Sequence, residues 1–172
     1  MPMEKILTEI ARALARLEKQ DWSLVGELIS SSSRIFVAGA GRSGMIGRCF
    51  AIRLRHLGKE SYVAGESICP PIGKGDTLVV ISCSGKTRST LGFAETAVRA
   101  GSRVLALTAS LDSPLARLAQ KAIFIPEGPS RQFAHSLFEQ VAFLFLEACI
   151  ERYRRARRIP TSRMARRHTN LE

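Results

Sequence analysis

Ser82, Ser84 and Thr87 place three hydroxyls within six residues, around Gly85 and beside Lys86. The segment Ser82-Cys83-Ser84-Gly85-Lys86-Thr87 follows a run of apolar β-formers and precedes a helix-like pattern. Hydroxyls, backbone N–H groups and a helix N-terminus together bind phosphate. Hydroxyls can also accept hydrogen bonds from sugar OH groups, and Lys86 adds a positive charge. An ordinary Ser/Thr helix cap has the same composition, so the loop alone leaves both readings open.

Acid–base candidates lie elsewhere. Glu139 stands at the start of the most apolar helical stretch, among Phe138, Val141, Ala142, Leu144 and Phe145. An apolar setting strengthens a carboxylate as a base, whereas a Glu at a helix start also simply complements the helix dipole. His168 is close to the end of the sequence, where most side chains are solvated. His56 ends a helical stretch and suits packing as well as catalysis. Arg42 and Arg53 either hold substrate oxygens or pair with acids at an interface. Glu66 is the second choice of base.

Two familiar phosphate motifs do not fit. Gly39-Ala40-Gly41-Arg42-Ser43-Gly44 matches G-x-G-x-x-G after a strand and before a helix. A dinucleotide fold then needs a helix between its second and third strands, and here a proline-containing loop of about eleven residues intervenes. Glu66 could be offered as the ribose acid, but it lies beyond the second strand in that loop. The turn is better suited to a smaller phosphorylated ligand. Ser84-Gly85-Lys86-Thr87 resembles the end of a Walker A loop, but Val80 stands where that loop requires its first glycine.

The elements that must position these residues follow from periodicity. Ile6, Ile10, Ala13, Leu14 and Leu17 recur at helical spacing, and a second helix is expected over Ser23–Ser31. Strands are expected at Arg34–Ala38, Glu60–Ala64, Asp76–Ser82, Arg103–Thr108 and Ala122–Ile125. Helices are expected at Ser43–Leu57, Arg88–Ala100, Ser113–Gln120 and Arg131–Arg155. Apolar strands separated by helices predict a three-layer α/β/α sandwich with a five-stranded parallel sheet, flavodoxin-like. Ligands of such sheets bind beyond the carboxyl ends of the strands. The expected organisation is one domain over residues 1–172: helices to residue 31, a core over 32–155 and a basic tail over 156–172.

Composition narrows the class. The chain is 45% apolar and 24% charged, as soluble globular proteins are. Its net charge of +11 points to polyanions, but Glu151–Glu172 alone holds eight Arg against two Glu. The tail lacks the interleaved aromatics of a nucleic-acid binder, so no specific nucleic-acid partner is expected. Val141–Leu146, a run of six apolar residues, is stopped by Glu147, whereas a membrane span needs roughly 20. The N-terminus has no signal-like core, and the expected location is cytoplasmic with Cys49, Cys69, Cys83 and Cys149 as free thiols. No H-E-x-x-H or Cys/His cluster is present along the sequence, so no metal is expected.

Taken together, Gly39–Gly44, Ser82-x-Ser84-Gly85-x-Thr87 and Ala106-Leu107-Thr108-Ala109-Ser110 resemble the sugar isomerase (SIS) domain family. Arg53-Leu54-x-His56-Leu57-Gly58, Val63-x-Gly65-Glu66, Ser136-Leu137-Phe138-Glu139-Gln140 and Arg167-His168-x-Asn170-Leu171-Glu172 are similar to the 6-phospho-3-hexuloisomerases within it. The similarity runs over nearly the whole chain. It implies interconversion of D-arabino-hex-3-ulose 6-phosphate and fructose 6-phosphate through a cis-enediolate, with no cofactor. It also implies a phosphate clamp of Ser43, Ser82, Ser84, Gly85, Lys86 and Thr87, with Glu139 as base and His168 reaching a neighbouring subunit's site. Family members resemble one another in being tetramers or dimers of dimers, so a homo-oligomer using the N-terminal helix and the tail is expected. The alternatives are an isomerase of another sugar phosphate or a non-catalytic sugar-phosphate-binding regulator. Two departures stand out: the family usually reads Ser-Gly-Ser-Gly-Glu-Thr where this chain has Cys83 and Lys86, and glycines where it has Ala134-His135.

Overall fold

The computed structural model describes residues 2–17 and 19–171. Glu172, the end of the terminal motif named above, lies outside the described residues. The elements run α1 (Met3–Leu14), α2 (Lys19–Ser31), β1 (Ile35–Gly39), α3 (Gly41–Leu57), β2 (Ser61–Val63), β3 (Thr77–Ile81) and α4 (Arg88–Arg99). They continue with β4 (Arg103–Thr108), α5 (Pro114–Leu118), β5 (Lys121–Phe124), α6 (Ser136–Ala156) and α7 (Thr161–Ala165).

The five strands form one parallel sheet in the order β2-β1-β3-β4-β5. Alternate strand residues point to opposite faces, and both faces are covered. Ile35, Val37, Val79, Ile81, Leu105, Leu107 and Ile123 pack against α3 and α6, together with residues of α1 and α2. Phe36, Ala38, Leu78, Val80, Val104 and Ala106 pack against Ala94 and Ala97 of α4 and Leu115 of α5. All five residues of β3 are buried, because β3 is central in the sheet and beneath helices on both sides. This is the expected α/β/α sandwich.

The strand order reverses at β1, so the crevice between the carboxyl ends of β1 and β3 is the topological switch point. Both glycine- and hydroxyl-rich turns open there.

One boundary requires correction. The last long helix begins at Ser136, not Arg131. Residues 130–132 instead bond to α1: Ser130 Oγ donates to Glu9 Oε2 at 2.7 Å and Gln132 Nε2 to the same oxygen at 3.1 Å. These hydrogen bonds hold the Glu9 carboxyl below its ordinary range. Ala134 then takes a positive φ of 50°, which a helix excludes. The tail contains a short helix, α7, that packs on α3 of its own chain. In α1, Ala13 is buried and Ile10 and Leu14 pack alongside it on the core of the same chain.

Candidate active site

The hydroxyl loop is held in place from the strand beside it. Ser82 N donates to Leu107 O, and Thr108 Oγ1 and Ala109 N both donate to Cys83 O, at 3.0 and 2.9 Å for the last two. Gly85 adopts φ +60° and donates its N–H to Ser82 O. A Cβ at Gly85 would stand 2.2 Å from Ser113 Oγ, the side chain that caps α5. The backbone turn therefore needs glycine on two counts, conformation and space. Ser82 Oγ lies 3.5 Å from Thr87 Oγ1, and Ser84 Oγ accepts from Lys86 N. Thr87 is the N-cap of α4, yet its side chain makes no capping bond. The plain helix-cap reading thus does not account for this hydroxyl.

The second turn approaches from β1. Gly39 and Gly44 touch backbone to backbone: a Cβ on Gly39 would stand 2.7 Å from Gly44 N, and one on Gly44 2.7 Å from Gly39 O. Only this close approach lets α3 start against the end of β1, and it sets Ser43 facing the hydroxyl loop. Between them is a pocket of about 200 Å³ lined by Ala40, Ser43, Ser82, Cys83, Ser84, Thr87, His135 and Glu139, with Ile81 at its base. A larger groove of about 580 Å³ between α2 and α6, lined by Trp22, Cys149 and Tyr153 among others, contains none of the hydroxyl cluster.

Glu139 reaches the pocket from the first turn of α6. Its surroundings differ from the apolar setting expected. Arg42 Nε stands 2.8 Å from Glu139 Oε2, while Arg42 Nη1 donates to Ser136 Oγ at 3.2 Å. The carboxylate is only 13% exposed and Arg42 is 62% exposed. Of the two readings of Arg42, pairing with an acid holds, but within one chain and at the pocket edge.

The remaining candidates lie apart from this pocket within the chain. Lys86 is exposed beside the loop. Arg53 pairs with Glu147 at 3.0 Å, and Glu66 pairs with Arg48. His168 stacks on buried His56, ring centroids 5.0 Å apart, and Arg167 donates to His56 O. Since Ser43 and His56 are separated along α3 at about 1.5 Å per residue, these histidines stand about 20 Å from their own chain's pocket. Glu139 and His168 therefore do not meet within one chain.

Two lining residues, Cys83 and His135, stand where this chain departs from the family's usual sequence. Cys83 Sγ donates to Glu127 Oε2 at 3.1 Å, and His135 Nδ1 bonds to Glu127 Oε1. Burial first, then the Glu127 carboxylate, pushes the Cys83 thiol far above its ordinary range. Glu127, in the turn after β5, carried no sequence signal at all.

A family model for the SIS domain matches residues 28–146. The chain belongs to the SIS domain family. The match spans every strand of the sheet and both turns of the pocket. Among SIS relatives, the 3-hexulose-6-phosphate isomerase of Mycobacterium gastri is 40% identical over 95% of this chain and 86% of its own length. The protein of the same name from Bacillus subtilis is 33% identical over 98% of this chain and 96% of its own. A solved Methanococcus jannaschii protein, with 3-hexulose-6-phosphate isomerase as its inferred function, superposes with a TM-score of 0.90 at 30% identity, covering 99% of this chain and 98% of the other.

Proposed function

We propose that this SIS protein is a sugar-phosphate isomerase that interconverts D-arabino-hex-3-ulose 6-phosphate and fructose 6-phosphate. The observation that carries the reading is the convergence of Ser43, Ser82, Ser84 and Thr87 with Glu139 on one pocket at the switch point of the sheet. The names borne by relatives at 33–40% identity support the substrate.

The phosphate sits on the hydroxyls of Ser43, Ser82, Ser84 and Thr87 and on the Gly85 backbone, at the N-terminus of α4. Glu139 removes the C2 proton of the 3-ketose, giving a cis-enediolate, and a proton is returned to C3 while the O2 hydroxyl proton moves to O3. Arg42, paired with Glu139 and exposed on its other side, orients the carboxylate. Ligand pockets commonly occupy about 300–1,000 Å³, so a pocket of about 200 Å³ holds the phosphate and only part of the sugar. A second copy completes the enclosure and brings its His56–His168 pair, with the tail over 156–172, toward the reacting carbons. Exposed Met45 and Ile52 on α3 and Phe143 and Leu144 on α6 supply apolar surface for such an association. Arg53, Glu66 and Lys86, placed outside the pocket of one chain, act in this reading only through that assembly or by drawing in the anion.

Purified protein, supplied with the 3-ketose phosphate made by an aldol-condensing synthase from formaldehyde and ribulose 5-phosphate, should form fructose 6-phosphate, and a chelator should not slow it. Binding without turnover would instead favour a regulator.

A further inference from the structure

The three residues Cys83, Glu127 and His135 come from three separate elements: the turn after β3, the turn after β5 and the residue preceding α6. Each offers one ligand atom (a sulfur, a carboxylate oxygen and an imidazole nitrogen), and these atoms all lie within 4.8 Å of one another. Glu127 already bridges the other two, one carboxylate oxygen to each.

We propose that Cys83, Glu127 and His135 form a binding site for one zinc-class divalent cation on the wall of the phosphate pocket. The ligand set selects the cation. Thiolate and imidazole suit zinc and its neighbours, whereas magnesium and calcium require oxygen ligands. With bonds of about 2.0–2.3 Å, the edges of a tetrahedral zinc site are about 3.5 Å long. The Cys83–Glu127 separation of 3.1 Å is already inside that edge and no ligand atoms are more than 4.8 Å apart, so reaching tetrahedral dimensions needs shifts on the order of 1 Å, within the reach of the exposed His135 and half-buried Glu127 side chains. On binding, the Sγ–H proton of Cys83 leaves to solvent and a metal–sulfur bond replaces it. Three protein ligands leave a fourth position for water or a ligand oxygen, the pattern of open zinc sites. Cys83 and His135 line the same pocket as Ser82, Ser84 and Thr87, so the bound cation stands beside the anion-binding hydroxyls.

Zinc binding is measured by calorimetry on the full chain without sugar phosphate, so the outcome is separate from the isomerase reading. One equivalent of Zn²⁺ per chain is expected, with affinity lowered at least about 10-fold in each of Cys83→Ser, Glu127→Gln and His135→Ala. Cobalt provides the second readout: Co²⁺-loaded wild type should show a thiolate-to-metal charge-transfer band. The band should vanish in Cys83→Ser and Cys83→Gly and persist in Cys49→Ser, whose sulfur is exposed. Circular dichroism establishes that each variant is folded. Unchanged zinc affinity in folded Cys83→Ser and His135→Ala, or a cobalt band that survives the loss of Cys83, would overturn the site and leave the triad a hydrogen-bond network only.

Discussion

Replacing Glu139 by Gln separates catalysis from packing. The side chain keeps its size and the backbone N–H of residue 139 still donates to His135 O, so α6 begins unchanged. What is lost is one proton acceptor and one ion pair with Arg42. Because Arg42 is 62% exposed, that pair contributes no more than about 1 kcal/mol to stability. Removing a general base costs at least about 100-fold in turnover, or about 2.7 kcal/mol in the barrier. The two magnitudes are far enough apart to be told from each other. In the coupled assay Glu139→Gln should lose at least about 100-fold in kcat, while its affinity for fructose 6-phosphate, measured by calorimetry, and its Tm stay near wild type. Turnover within threefold of wild type in a folded variant would refute Glu139 as the base and, with it, the role assigned to the first turn of α6.

Gly85→Ala should abolish phosphate binding and destabilise the fold by about 1–3 kcal/mol, since φ +60° and a Cβ 2.2 Å from Ser113 Oγ both oppose it; thermal melting and calorimetry with fructose 6-phosphate read the two effects. His168→Ala should lower kcat about 10-fold or more while leaving phosphate affinity intact, and mixing it with Glu139→Gln should restore partial activity if the histidine serves a neighbour's site. At the far end of β3, burial raises the Asp76 carboxyl but the hydrogen bonds from Arg34 and Gly73 N–H and the Arg34 charge outweigh it, so it ends below its ordinary range. That pair therefore stabilises the fold above about pH 4 and is lost as pH falls through the lowered value. Asp76→Asn should cost about 2 kcal/mol at neutral pH and flatten the fall of Tm below about pH 4; an unchanged acid limb would assign that limb to other groups.

Much of this architecture could be read from the residues. Leu78–Ile81 is apolar throughout because β3 is covered on both faces, and that one property leads to a parallel sheet and so to a site at the carboxyl ends. Hydroxyl clustering around Gly85 pointed to phosphate because the residue types themselves carry the chemistry. The start of α6 was less legible. Nothing local in Arg131–His135 forbids a helix; tethering of residues 130–132 to Glu9, some 120 residues earlier, does. The partners of Glu139 and Cys83 were hidden for the same reason. Arg42 and Glu127 are brought to them by topology, across 97 and 44 residues of sequence. The position of His168 was open in the sequence, since a tail can fold in many directions. Stacking on His56 places it at the opposite end of α3 from its own pocket.

The central claim is that the pocket between β1 and β3 isomerises a bound sugar phosphate. Incubating the wild-type protein with fructose 6-phosphate alone and following the sugar by NMR tests it most directly. Signals of the 3-ketose 6-phosphate should grow in until a constant ratio is reached, and should fail to appear with Glu139→Gln. Fructose 6-phosphate that binds the protein and is recovered unchanged would contradict the account.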